Sequence, residues 1–185
     1  MKMLDGIKKY KILIVDDLDD MREILQYHLS NDSYEILEAT NGVEALKYLR
    51  SNAIDLLITD IEMPEMNGMQ LCKIVFEEQI DTSTIIITCH QILDEAKEAF
   101  KYGVFDFITK PYDLRVVNNR VQLALERRDL EKTHFEMIKI LYDGLGIKMK
   151  EDYSKIPMAE RIYQLKRVIH LARTKLFRLT ISKKS

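Results

Sequence analysis

The sequence predicts an α/β fold: a five-stranded parallel sheet with helices on both faces, followed by a helical C-terminal extension. Three observations predict it. Strand-like apolar runs alternate with helical patterns through the first 125 residues. The connections between them are short, as successive βα units require. Three of the runs end in pointed chemistry: Ile12–Val15 runs into Asp16-Asp17, Asp55–Thr59 into Asp60, and Phe105–Thr109 into Lys110-Pro111.

Lys11–Val15 is the first predicted strand, a continuous apolar run of the kind that parallel sheets bury on both faces. Asp19–Asn31 follows as a helix, with Met21, Ile24, Leu25, His28 and Leu29 on one stripe. Tyr34–Ala39 is the second strand, and Gly42–Arg50 the second helix, with Val43, Leu46 and Leu49 at helical spacing. Asp55–Thr59 is the third strand, broken after Asp60 by Pro64 and Gly68. Met66–Glu78 is the third helix, presenting Leu71, Ile74 and Val75, and the Met63–Met69 methionines suit turn and helix packing. Thr84–Thr88 is the fourth strand, Leu93–Tyr102 the fourth helix, stopped at Gly103, and Phe105–Thr109 the fifth strand. A fifth helix begins near Leu114 and shows no clear stop until Asp143-Gly144.

Right-handed crossovers bring the carboxyl ends of parallel strands to one sheet edge, where open α/β sheets carry their sites. Asp16, Asp17, Asp60, Thr88 and Lys110 should therefore converge, although they lie far apart in sequence.

Composition narrows the function. The apolar fraction of 46% suits a globular protein with a real core, and no apolar run approaches the ~20 residues that span a bilayer. The first residues lack the apolar centre of a signal peptide, and Cys72 and Cys89 form no short-spaced motif. Reduced thiols in or near the core and a cytoplasmic location are expected. The net charge of -2 hides an asymmetry: residues 126–185 hold 15 basic and 8 acidic side chains, the preceding 125 residues 13 and 22. The expected organisation is an acidic domain over residues 1–125 and a basic helical extension over 126–185. In the extension Ile162, Leu165, Ile169, Ala172, Leu176 and Leu179 recur at spacings of three and four, a short dimerisation or docking seam.

Carboxylates packed this closely do not all ionise cheaply without a cation among them. Hard oxygen ligands without His or Cys favour Mg²⁺. A lysine beside them suits a phosphoryl group, and Thr88 adds a hydroxyl donor. Together these groups fit phosphoryl transfer with a carboxylate as nucleophile.

Asp16-Asp17, Asp60 with Met63-Pro64 and Gly68, Thr88, Phe107 and Lys110-Pro111 resemble, in order and spacing over roughly residues 10–125, the flavodoxin-like receiver domain of two-component response regulators. The resemblance implies that Asp60 accepts a phosphoryl group from a phosphohistidine on a partner histidine kinase or phosphotransfer protein. It implies that Asp17 and Asp60 ligate Mg²⁺ directly, Asp16 through water, and Glu62 through its backbone carbonyl. Lys110 would pair with the phosphoryl oxygens, Thr88 would hydrogen-bond them, and Phe107 would rotate inward behind it. The surface of the fourth helix, fifth strand and fifth helix would change. Glu62 and His90 stand at the two variable positions that tune phosphoryl lifetime in the family, and Cys89 stands where Ala or Gly is usual.

The implied protein is a phosphoacceptor switch, not an enzyme beyond its own phosphoryl transfer and slow autodephosphorylation. The output is expected from the extension, as a homodimer through the C-terminal helices or a docking element. The alternative is a regulator whose basic helical tail contacts DNA or RNA, as in antiterminator response regulators. A phosphatase with an aspartyl nucleophile is the weaker third reading, because the second acid is Glu62 where such enzymes place Asp.

Overall fold

β1 (Tyr10–Val15), β2 (Tyr34–Ala39), β3 (Leu56–Thr59), β4 (Ser83–Thr88) and β5 (Asp106–Thr109) form one parallel sheet in the order β2-β1-β3-β4-β5. The structure, a computed structural model, describes residues 9–89, 99–146 and 169. His90, the predicted fourth helix up to residue 98 and most of the Ile162–Leu179 seam lie outside them. The described helices are α1 (Asp19–Leu29), α2 (Gly42–Ser51), α3 (Gly68–Glu77) and the long α4 (Leu114–Leu145), which corresponds to the fifth helix of the sequence reading.

Strand alternation explains how both sheet faces are covered, since successive side chains point to opposite sides. Ile12, Ile14, Leu56, Ile58, Ile85 and Ile87 pack with Leu25 and Leu29 of α1 and Val117, Val121 and Ala124 of α4. Leu13, Val15 and Leu57 pack on the other side with Leu46 and Leu49 of α2 and Leu71 and Val75 of α3. Each buried Val, Leu or Ile among them contributes about 1.5–3 kcal/mol. The predicted fold class therefore stands, with helices on both faces of a five-stranded sheet.

Two sequence expectations are corrected. The stripe on α1 buries Arg22, Leu25 and Leu29, while Ile24 is 43% exposed and His28 is exposed. Arg22 tolerates burial because acceptors surround its guanidinium. The third helix starts at Gly68, because Asn67 is its N-cap: the Asn67 side chain accepts from Gln70 N, and Gln70 returns the bond to Asn67 N. Of the cysteines, Cys72 is buried as expected and Cys89 is exposed.

Two units divide the chain, Met1–Arg128 and Asp129–Ser185. In the first, Arg128 of α4 is 6% exposed. Its Nε lies 3.2 Å from Asp55, which immediately precedes β3, and its Nη1 and Nη2 each lie 2.8 Å from the Asp81 carboxylate before β4. In the second, the described residues belong to the end of α4, where Ile138 is buried and Leu130, Met137 and Ile140 are exposed, and to Ile169, which is helical.

Candidate functional site

Register builds the site before any side chain is considered. Val15 of β1 stands opposite Thr59 of β3, so the next residues, Asp16 and Asp60, leave the sheet side by side. Asp60 N donates to Val15 O at 2.9 Å. Thr88 ends β4 opposite Thr109 of β5, and Lys110 N donates to Thr88 O at 2.8 Å. The site thus lies beyond the carboxyl ends of β1 and β3, where the strand order reverses.

Lys110 draws the acids together. Its Nζ lies 2.5 Å from Asp60 Oδ2 and 3.0 Å from Asp16 Oδ2. Asp16 is 3% and Asp60 8% exposed, so this is a nearly buried triad of two carboxylates and one ammonium. Burial alone would lower the pKa of Lys110, but hydrogen bonds to Asp60 and Asp16 outweigh it and hold the value above the ordinary lysine range. The ammonium therefore stays charged throughout the neutral range.

Backbone groups fix the other carboxylate oxygens. Asp60 Oδ1 accepts from Ile61 N at 2.5 Å and Glu62 N at 3.4 Å, and Asp16 Oδ1 accepts from Leu18 N at 3.0 Å. Behind Asp60 the β3–α3 loop closes tightly, with Gly68 N donating to Ile61 O at 2.9 Å. A Cβ on residue 68 would sit 2.0 Å from Asp60 O, so only glycine permits this approach.

Asp17 follows Asp16 and is exposed at the same edge, as is Glu62. Thr88 is 2% exposed. Phe107 is half-buried against Ile61, Cys72, Ile86, Ala99 and Val104, and its ring meets that of Phe100 edge-on at 5.5 Å. Asp16, Asp60 and Lys110 are thus in direct contact, Thr88 joins them through the backbone, and Asp17, Glu62 and Phe107 lie on the adjoining segments.

Tyr112 and Arg22 escaped the sequence reading. Tyr112 follows the cis Lys110-Pro111 peptide, and its buried hydroxyl has no hydrogen-bond partner among the described residues. Arg22 is one of several charged residues on α1. Its only sequence signal was a position three residues before Leu25 on the buried stripe.

Two carboxylates and an exposed third, with one ammonium, leave the site net negative, and every donor is a hard oxygen. Among the described residues no three His, Cys, Asp or Glu side chains form a ready-made metal cage. The set suits an ion that keeps several waters and takes one or two carboxylates, which describes Mg²⁺.

The profile of the response regulator receiver domain family matches residues 12–122. The chain belongs to this family. Its receiver is similar over 125 residues (36% identity, 68% of this chain, 28% of the relative) to the response regulator protein PilR of Pseudomonas aeruginosa. The alkaline phosphatase synthesis transcriptional regulatory protein PhoP of Bacillus subtilis is 28% identical over 178 residues, covering 89% of this chain and 72% of that protein. Relatives such as PilR are therefore much longer than the stretch they share with this chain.

Among solved structures, a response regulator receiver domain protein from Clostridium thermocellum superposes with a TM-score of 0.61 at 31% identity, covering 65% of this chain and 98% of that one. The receiver domain of an HD domain-containing protein from Pseudomonas fluorescens gives 0.63 at 27%, covering 66% and 98%. Members of the receiver family are generally signalling proteins rather than enzymes, and response regulators pair with histidine kinases. No helix among the described residues is long and apolar enough to cross a membrane.

Proposed function

We propose that Asp60 is the phosphoacceptor of this receiver and that Mg²⁺ assists the transfer. The contact of Lys110 Nζ with both Asp60 and Asp16 carries the reading, because it places a permanent cation beside the carboxylate that would be modified. The phosphorus–nitrogen bond of a phosphohistidine breaks as a bond from phosphorus to an Asp60 oxygen forms. Lys110 then holds a phosphoryl oxygen in place of the carboxylate it holds before transfer. Mg²⁺, when bound, neutralises phosphoryl charge, and Asp16, Asp17, Asp60 and the Glu62 carbonyl would hold it.

The added charge of about -1.5 to -2 then favours hydrogen bonding by Thr88. Phe107 responds by moving inward, changing the surface of β5, α4 and the segment before β5. Glu62 and His90 set how long the phosphoryl group lasts, and phosphoryl transfer to Asp60 and its slow hydrolysis are the reactions the protein performs on itself. The protein acts in the cytoplasm, and its partner is a sensor histidine kinase or phosphotransfer protein.

The extension over residues 126–185 is the output element, acting as a helical dimerisation or docking segment. A second reading gives its basic residues to DNA or RNA. The description of the Bacillus subtilis relative as a transcriptional regulatory protein favours it, and binding that weakens steeply with salt is its signature.

The test is incubation with Mg²⁺ and acetyl phosphate followed by intact-mass analysis. One phosphoryl group is expected on the wild-type protein and none on Asp60→Asn. No gain on the wild-type protein from any small phosphodonor overturns the reading.

A further inference from the structure

Arg22 is 7% exposed, and its guanidinium meets three segments that surround the acidic loop. Nη1 donates to the backbone carbonyl of Asp16 at 2.6 Å. Nη2 pairs with the Asp19 carboxylate in the first turn of α1. Nε lies 3.4 Å from Glu38 Oε2 near the end of β2. The guanidinium thus ties the exit of β1, the start of α1 and the neighbouring strand into one unit.

The Asp16 carbonyl and the Asp17 N–H share a peptide plane. Holding that carbonyl fixes the plane, and with it the direction in which the chain leaves Asp16 and presents Asp17. The Asp16 carboxylate is meanwhile held by Leu18 N and Lys110, each at 3.0 Å. Asp16 and Asp17 in the loop and Asp19 and Asp20 in the first turn of α1 crowd one corner, and unrestrained carboxylates there would swing apart into solvent.

We propose that Arg22 is a positioning residue for the cation site: by pinning the Asp16–Asp17 peptide it aims the loop carboxylates at Asp60 and raises the affinity of the site for Mg²⁺. This rests on the reading of the site given under Proposed function. It opposes what simple electrostatics predicts, because a nearby positive charge by itself repels a divalent cation. Charge and positioning therefore give opposite signs. A flat fork with several donors can serve a carbonyl and two carboxylates at once, whereas a lysine ammonium is a single point charge.

Full-length wild type, Arg22→Lys and Arg22→Met should be titrated with Mg²⁺ by calorimetry, with far-UV circular dichroism reporting the fold. Supporting residues around metal ligands change affinity about 10–100-fold when removed. Arg22→Met should bind about tenfold more weakly. Arg22→Lys keeps the charge and should still lose several-fold, a loss that charge cannot explain. Mg²⁺ binding that tightens in Arg22→Met and is unchanged in Arg22→Lys overturns the proposal and leaves the phosphoacceptor reading intact. Wild-type protein that binds no Mg²⁺ overturns both. Should Arg22→Met fail to fold, Arg22→Lys alone decides, because a wild-type affinity there overturns the positioning role.

Discussion

Lys110 Nζ and Asp60 Oδ2 stand 2.5 Å apart across residues that the chain separates by fifty positions. Asp16 shares the same ammonium at 3.0 Å. Lys110 therefore screens two buried carboxylates from each other, and under the proposed function it also meets the phosphoryl oxygens.

Replacing Lys110 by Met should separate these roles. The site loses a positive charge, so Mg²⁺ should bind more tightly. Phosphoryl transfer from acetyl phosphate should slow by about a hundredfold, the usual scale for losing a preorganised charge in such a site. The pairing also has a pH signature. The folded pKa of Lys110 lies above its ordinary 10.5, so this stabilisation is complete below that pH and is lost as pH rises through the folded value. Wild-type protein should therefore lose more stability than Lys110→Met in alkaline denaturation.

Gly68→Ala should damage both fold and site. The new methyl group would meet Asp60 O at 2.0 Å, so the backbone itself must shift to admit it. Overpacking of this kind costs about 1–3 kcal/mol. Urea unfolding should show that loss, and acetyl phosphate labelling of the folded fraction should fall because the Asp60 backbone has moved.

Arg128→Met should be more destabilising than a helix-surface change. It leaves the Asp55 carboxylate, 6% exposed, without its guanidinium, and breaking one side of a buried pair costs about 3–5 kcal/mol. Adding Asp55→Asn should recover part of the loss, because the buried charge is then gone. Thermal unfolding of the two single variants and the double variant reads this directly.

The two cysteines should react differently. Burial pushes the Cys72 thiol up to about 12, so it stays protonated and enclosed at pH 8. Cys89 is exposed. A disulfide reagent should label one thiol in the native protein and two in denaturant, and Cys89→Ser should abolish the native reaction.

How far the chain could be read depended on the kind of signal. The inner strands β1, β3 and β4 are nearly unbroken apolar runs ended by a charge or turn, and burial on both faces demands that pattern, so the centre of the sheet was visible. Asp16, Asp60 and Lys110 were visible for the same reason, because topology carries strand ends to one edge whatever lies between them. The α1 stripe was misread at Ile24 and His28 because hydrophobic spacing says nothing of an arginine whose acceptors come from β1 and β2. The start of α3 was misread because Asn67 and Gln70 act only as a reciprocal pair.

Local composition thus specified the strands, their order of appearance and the acids and lysine at their ends. Those are properties of short segments, set by which side chains must leave water. Tertiary packing settled the rest: that Lys110 bridges Asp16 and Asp60, that Gly68 lies against the Asp60 carbonyl, and that Arg22 and Arg128 are buried cations. Each depends on partners supplied by distant segments, and a charge is buried or solvated according to the acceptors that surround it after folding.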